Sequence, residues 1–147
     1  MTHQVYLAGP WFNQDQLDRL NSVREVLTEN EISFYDPQKD CLYVPGKISA
    51  LEVLDMNTSA IDAANFIVCI TDGKDTGTMW EAGYSYGTMT PVIYVWLTGT
   101  KEQKFNLMLG ASGAIVRTLP QLAKALQHYK EVGYVEPINY GDDINYE

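Results

Sequence analysis

At 147 residues, 46% hydrophobic and 20% charged, the chain has the size of one ordinary domain and the composition of a globular one. Its net charge of −9 argues against a nucleic-acid backbone or an anionic membrane as partner, because both demand basic patches; a small neutral ligand stays open. Two cysteines make no disulfide framework, residues 1–20 hold no secretory apolar region, and no apolar run nears the ~20 residues of a membrane span, so a cytoplasmic protein is expected.

Val5 to Ala8 reads as a short strand stopped by Gly9-Pro10. Asn13 with Gln16 has the pattern of a capping box, and Leu17, Leu20, Val23 and Leu27 follow at helical spacing. Ile32 to Tyr35 is the second expected strand, ended by Asp36-Pro37, and residues 38–48 read as a loop. A helix from about Ser49 to Ala63 carries Leu51, Leu54, Thr58 and Ile61 on one side. Asn65 to Ile70 reads as a buried parallel strand in which Cys69 is a small hydrophobe. A Gly-rich polar loop (Thr71 to Gly77) and a helix from Thr78 to Met89 come next, then a strand from Pro91 to Leu97. Ala114 to Val116 is a candidate edge strand. Thr118 with Gln121 opens a last helix whose Leu119, Leu122, Ala123 and Leu126 face inward, and the tail from Gly133 is irregular. This alternation implies a single α/β domain: a parallel sheet of about five strands with helices on both faces.

Chemistry concentrates where strands end. Asp75 to Tyr84, DTGTMWEAGY, leaves the carboxyl end of a strand for a helix, the address at which open α/β sheets bind ligands. Glu81 is expected in the first turn of that helix, where the dipole and free N–H groups favour its anion. Such a carboxylate suits nucleophilic attack on an electron-poor carbon; the local run equally fits a Glu that merely complements the dipole. Asp75, six residues earlier, faces the same rim, and two carboxylates near one anomeric carbon suit glycoside chemistry. Asp72 begins an Asp-Gly turn signal. The loop after strand one, Ala8 to Gln14, puts Trp11 and Phe12 on that rim, either as a cover for a flat base or as a plug over the sheet edge. Gly9 lacks the two further glycines of a dinucleotide fingerprint, and no P-loop exists. Asn106, inside the apolar run Phe105 to Leu109, reads as a helix cap before a ligand contact. His3 and His128 sit in no metal-ligand spacing, so no metal is expected.

Taken together, Tyr6 on strand one, the GPWF loop, DTGTMWEAGYSYG with its glutamate, and the FNLM run resemble the nucleoside 2-deoxyribosyltransferases over nearly the whole chain. The resemblance implies a flavodoxin-like fold and transfer of 2-deoxyribose between nucleobases through a covalent glycosyl–glutamate intermediate, without a cofactor. It implies a deoxynucleoside and a free base as small-molecule partners, and a homo-oligomer, expected as a hexamer, whose sites neighbouring subunits complete. By position, Glu81 is the nucleophile and Tyr6 orients it; Asp75 holds sugar hydroxyls; Asn106, with Met108 beside it, reaches the 5′-hydroxyl side from a neighbour. Gly9, Trp11 and Phe12 line the base pocket. The family's D-x-x-x-I element carries an Asp near the base, and here that position is Asn57, four residues before Ile61. An amide hydrogen-bonds a base but cannot transfer a proton. Asp55 and Asp62 lie about 200° and 140° away in helical phase, so neither simply substitutes. The loop lacks Arg and Lys before Arg19, which favours a neutral nucleoside over a phosphate-bearing one; the alternative reading is hydrolysis of a deoxynucleoside or deoxynucleotide with water as acceptor, and a non-catalytic nucleoside-binding protein is the third.

Overall fold

A computed structural model describes residues 3–147. The elements in chain order are β1 (Val5–Ala8), α1 (Gln14–Glu29), β2 (Phe34–Tyr35), α2 (Pro37–Asp40), α3 (Ala50–Ala63), β3 (Phe66–Ile70), α4 (Thr76–Gly87), β4 (Val92–Val95), α5 (Leu107–Ala111), β5 (Ala114–Val116) and α6 (Leu119–Val132). Five strands pair in the order β2-β1-β3-β4-β5, and every pairing is parallel. The chain leaves β1 toward β2 on one side and β3 toward β4 on the other. The crevice between the carboxyl ends of β1 and β3 is therefore the topological switch point of this flavodoxin-like sheet.

Strand residues alternate between two cores. Val5, Leu7, Phe66, Val68, Ile70, Ile93 and Val95 pack with α1 and α6 through Leu20, Val23, Leu27, Leu122 and Leu126. Tyr6, Ala8, Ile67, Cys69, Tyr94 and Ile115 face the opposite side, where Ile61 of α3 and Ala82 of α4 meet them. Every residue of β3 is buried, as an apolar run covered on both faces must be.

The capping residues were legible, although the reciprocal contacts differ. Asn13 and Thr118 accept from Gln16 N (2.9 Å) and Gln121 N (3.2 Å). Each Gln reaches one residue beyond the cap, to Phe12 N (2.8 Å) and Arg117 N (2.7 Å), so neither pair closes a capping box. Ser49 and Glu52 do close one, at 3.1 and 2.7 Å.

Other boundaries shift. The second strand shrinks to Phe34–Tyr35, the expected loop begins with the short helix α2, and α4 starts two residues early because Asp75 caps it. The stripe expected on α3 is not a core face. Ile61 alone is buried, while Leu51 (65%) and Leu54 (42%) stay exposed, because the first turns of α3 run past the edge of the core. The tail is irregular but anchored: Asn139 bridges Ile115, and Tyr146 bridges Phe105.

Two polar clamps hold the rim. Asp72 accepts from Leu97 N (3.1 Å), Thr98 N (2.7 Å) and Thr98 Oγ1 (2.7 Å), fastening the loop after β3 to the end of β4, while Gly73 takes the positive φ of 79° in the turn. Arg24 of α1 meets the buried Asp36 in a fork, Nε at 2.7 Å and Nη2 at 3.0 Å, and so fixes the chain just after β2.

Candidate active site at the switch point

β1 lies between β2 and the central strand β3, and its alternation points Tyr6 toward α3 and α4, fully buried. From there its hydroxyl donates a hydrogen bond to Glu81 Oε2. The two residues lie far apart in sequence and meet because β1 and β3 are neighbours and α4 leaves the end of β3.

Glu81 sits in the second turn of α4, which corrects the expected first turn. The free N–H groups that would favour an anion are one turn away, and the dipole effect fades within that distance. Burial wins instead and pushes the carboxyl up to about 7; the Tyr6 hydrogen bond opposes this, and the nearby Asp75 charge adds to it. Burial, then the adjacent Glu81 charge, drives the Tyr6 phenol far above its ordinary range. Tyr6 therefore remains a proton donor at every working pH. A carboxyl poised near neutrality and held by a fixed phenol can ionise and present one oxygen to an electrophilic carbon.

Asp75 caps α4, accepting from Thr78 N and Thr78 Oγ1 at 2.9 Å each. Both bonds use Oδ2, which leaves Oδ1 without a partner among the described residues. Gly9 is buried where the loop after β1 crosses the end of β3; a Cβ there would stand 3.0 Å from Ile70 Cδ1, a tight contact that Ile70 would have to yield to. Of the two adjacent aromatics, Trp11 packs against the core beneath α1, and Phe12 stands 70% exposed with its ring centroid 5.3 Å from that of Trp11. The plug reading thus describes the Trp11 contacts, and Phe12 is the ring left free.

Asn106 caps α5 by accepting from Leu109 N at 3.1 Å, as its position in the run suggested, and its Nδ2 has no partner among the described residues. It lines a small cleft with Thr71, Lys74 and Trp96. Met108 on α5 is 77% exposed and belongs to neither apolar core. Asn57 is half-buried on α3, and its Oδ1 lies 3.4 Å from the Tyr35 hydroxyl. Asp62 is engaged elsewhere, accepting from the Tyr84 hydroxyl at 2.9 and 3.1 Å, and Asp55 is exposed.

Sequence reasoning missed Tyr35. Its ring stacks on Tyr6 with centroids 5.5 Å apart and planes 15° apart. The available signal was an aromatic at the end of the strand that pairs with β1, in register with Tyr6.

These geometries lie within a region that known proteins share. The family model for nucleoside 2-deoxyribosyltransferase matches residues 5–112, which include every residue named above for the site. Among solved structures, the chain is similar to a 2-deoxyribosyltransferase from the psychrotolerant bacterium Bacillus psychrosaccharolyticus: 25% identity, a TM-score of 0.71, and coverage of 90% of this chain and 97% of that one. It shares its fold with a 2-desoxiribosyltransferase from Leishmania mexicana (18% identity, TM-score 0.53, covering 97% and 89%). It also shares it with a CMP N-glycosidase from Clostridium botulinum (14% identity, TM-score 0.57, covering 85% and 98%). No curated protein matches the chain.

Proposed function

Because the chain belongs to the nucleoside 2-deoxyribosyltransferase family, we propose that it exchanges the base of a 2′-deoxynucleoside for a free base by double displacement, with Glu81 as the nucleophile. The observation that carries this reading is the Tyr6–Glu81 hydrogen bond at the switch point. It holds one carboxylate oxygen still and leaves the other free. In the first half-reaction that free oxygen attacks C1′, the C1′–N bond breaks, and its electron pair departs with the base. In the second, the incoming base attacks C1′, Glu81 leaves as a carboxylate, and the N–H proton of the incoming base passes to water. Each step inverts C1′, so a β-nucleoside yields a β-nucleoside.

Asp75 Oδ1 is the acceptor for a sugar hydroxyl, Phe12 covers the base, and Asn57 faces it. Gly9 keeps the loop close, with Trp11 as its anchor. Asn106 Nδ2 and Met108 serve the 5′ side of a site in a neighbouring copy, within a hexamer. A 2′-hydroxyl would compete with C1′ for the carboxylate held by Tyr6, so deoxyribose is the sugar.

The test is incubation with deoxyinosine plus free cytosine or adenine. Formation of a new deoxynucleoside supports transfer. Free deoxyribose alone would replace the reading with hydrolysis, water taking the acceptor's place.

A further inference from the structure

Tyr35 touches two residues of the site at once. Its ring lies flat against Tyr6, and its hydroxyl reaches Asn57 Oδ1 at 3.4 Å. The residue after it, Asp36, is gripped by Arg24 Nε and Nη2, and Arg24 Nη2 also binds Gln38 Oε1 at 2.7 Å. The backbone that carries Tyr35 is therefore fixed from α1, independently of any ligand.

A phenol is a good donor and a poor acceptor, because its oxygen lone pair is drawn into the ring. The amide that meets it consequently turns its oxygen, not its nitrogen, toward Tyr35. The two donors of Asn57 Nδ2 then point away from Tyr35, and they have no partner among the described residues.

We propose that Tyr35 is a positioning residue which pins the Asn57 amide so that its N–H donors face the departing base, making the site selective for bases with an acceptor at that place. The inference rests on the base-exchange reading above. As the C1′–N bond breaks, negative charge spreads from the departing nitrogen onto the conjugated ring nitrogens or carbonyl oxygen of the base. N–H donors placed there stabilise that charge without moving a proton. The proton the free base finally takes comes from water. A carboxylic acid at position 57 would deliver the proton itself; the amide must rely on its orientation, which is what Tyr35 supplies.

Turnover of 2′-deoxyadenosine is compared with that of its 3-deaza and 7-deaza analogues, each lacking one ring acceptor, in the wild type, Tyr35→Phe, Asn57→Ala and the double variant. Phenylalanine keeps the stack on Tyr6 and removes only the hydroxyl. The wild type should discriminate against one of the two analogues. Tyr35→Phe should reduce that discrimination about 3- to 10-fold, the range of one ordinary hydrogen bond, and should change nothing further on the Asn57→Ala background. An equal loss for all three substrates and in both backgrounds, accompanied by a lowered Tm, would overturn the proposal in favour of a structural hydroxyl. So would unchanged discrimination. Calorimetric binding of the same nucleosides to Glu81→Ala protein scores the orientation without turnover, and absence of discrimination there also counts against it. Failure of the wild type to exchange bases while still discriminating would sink the transferase reading and leave the Tyr35 assignment standing.

Discussion

Glu81 is pulled in two directions, and the balance predicts its pH behaviour. Burial favours the neutral acid while Tyr6 favours the anion, leaving the carboxyl at about 7. A carboxyl acting as nucleophile must be ionised, so the proposed role requires kcat/KM to climb with pH up to about 7 and level off above it; a profile that falls across this range would contradict that role. The same shift bears on stability. The folded state holds a proton that the unfolded carboxyl, at 4.5, gives up earlier. The contribution from Glu81 is thus fully present below about 4.5 and is lost as pH rises through about 7, by roughly 3–4 kcal/mol. Glu81→Gln should remove this loss, so urea titrations should find the variant more stable than wild type at pH 8 and little different at pH 4. Glu81→Ala should abolish exchange while circular dichroism stays native. Asn57→Asp puts an acid at the position proposed to face the base, and general-acid help is worth ~10²–10⁴-fold. Rates should rise most for bases that must take up a proton to leave; unchanged kinetics on purine and pyrimidine deoxynucleosides would place Asn57 outside the base site.

The elements that bear the site are held by a few polar contacts at their ends. α4 begins where Asp75 accepts from Thr78, and this cap also sets how far Glu81 lies from the helix N-terminus. β2 is only two residues long and pairs with β1 at two positions, and the Arg24–Asp36 fork holds the chain immediately after it. Asp36→Ala leaves the Arg24 guanidinium buried without its carboxylate. Such a loss typically costs about 3–5 kcal/mol, and it should appear as a lower urea midpoint. Because Tyr35 rides on the same turn, base discrimination should weaken in Asp36→Ala protein that remains folded. A native midpoint in that variant would mean that the pair adds nothing to the placement of β2.

On the scale of the whole molecule, apolar surface gathers outside the core. Leu51, Leu54 and Met56 of α3 and Leu42, Tyr43 and Val44 of the preceding loop are exposed together, on a chain whose net charge is −9. Exposed apolar residues grouped in one segment mark an association surface. Light scattering should give a homo-oligomer, expected as six chains, and Leu51→Glu with Leu54→Glu should lower that mass and the activity together; a fully active monomer would remove the claim. The sequence alone determined the order of the five strands, their parallel sheet and the caps at Asn13 and Thr118, and it pointed to the Asp75–Glu81 segment as a candidate site. It could do so because buried strands, helix starts and strand-to-helix loops each leave a local pattern of residue types. Only the tertiary structure decided that Glu81 is one turn too deep for the helix N-terminus to govern its charge, that Leu51 and Leu54 face away from the core, and that Tyr35 stands between Tyr6 and Asn57. Those three facts depend on which strands lie side by side and how far each helix overhangs the sheet, and distances between segments remote in sequence leave no periodic trace in any one of them.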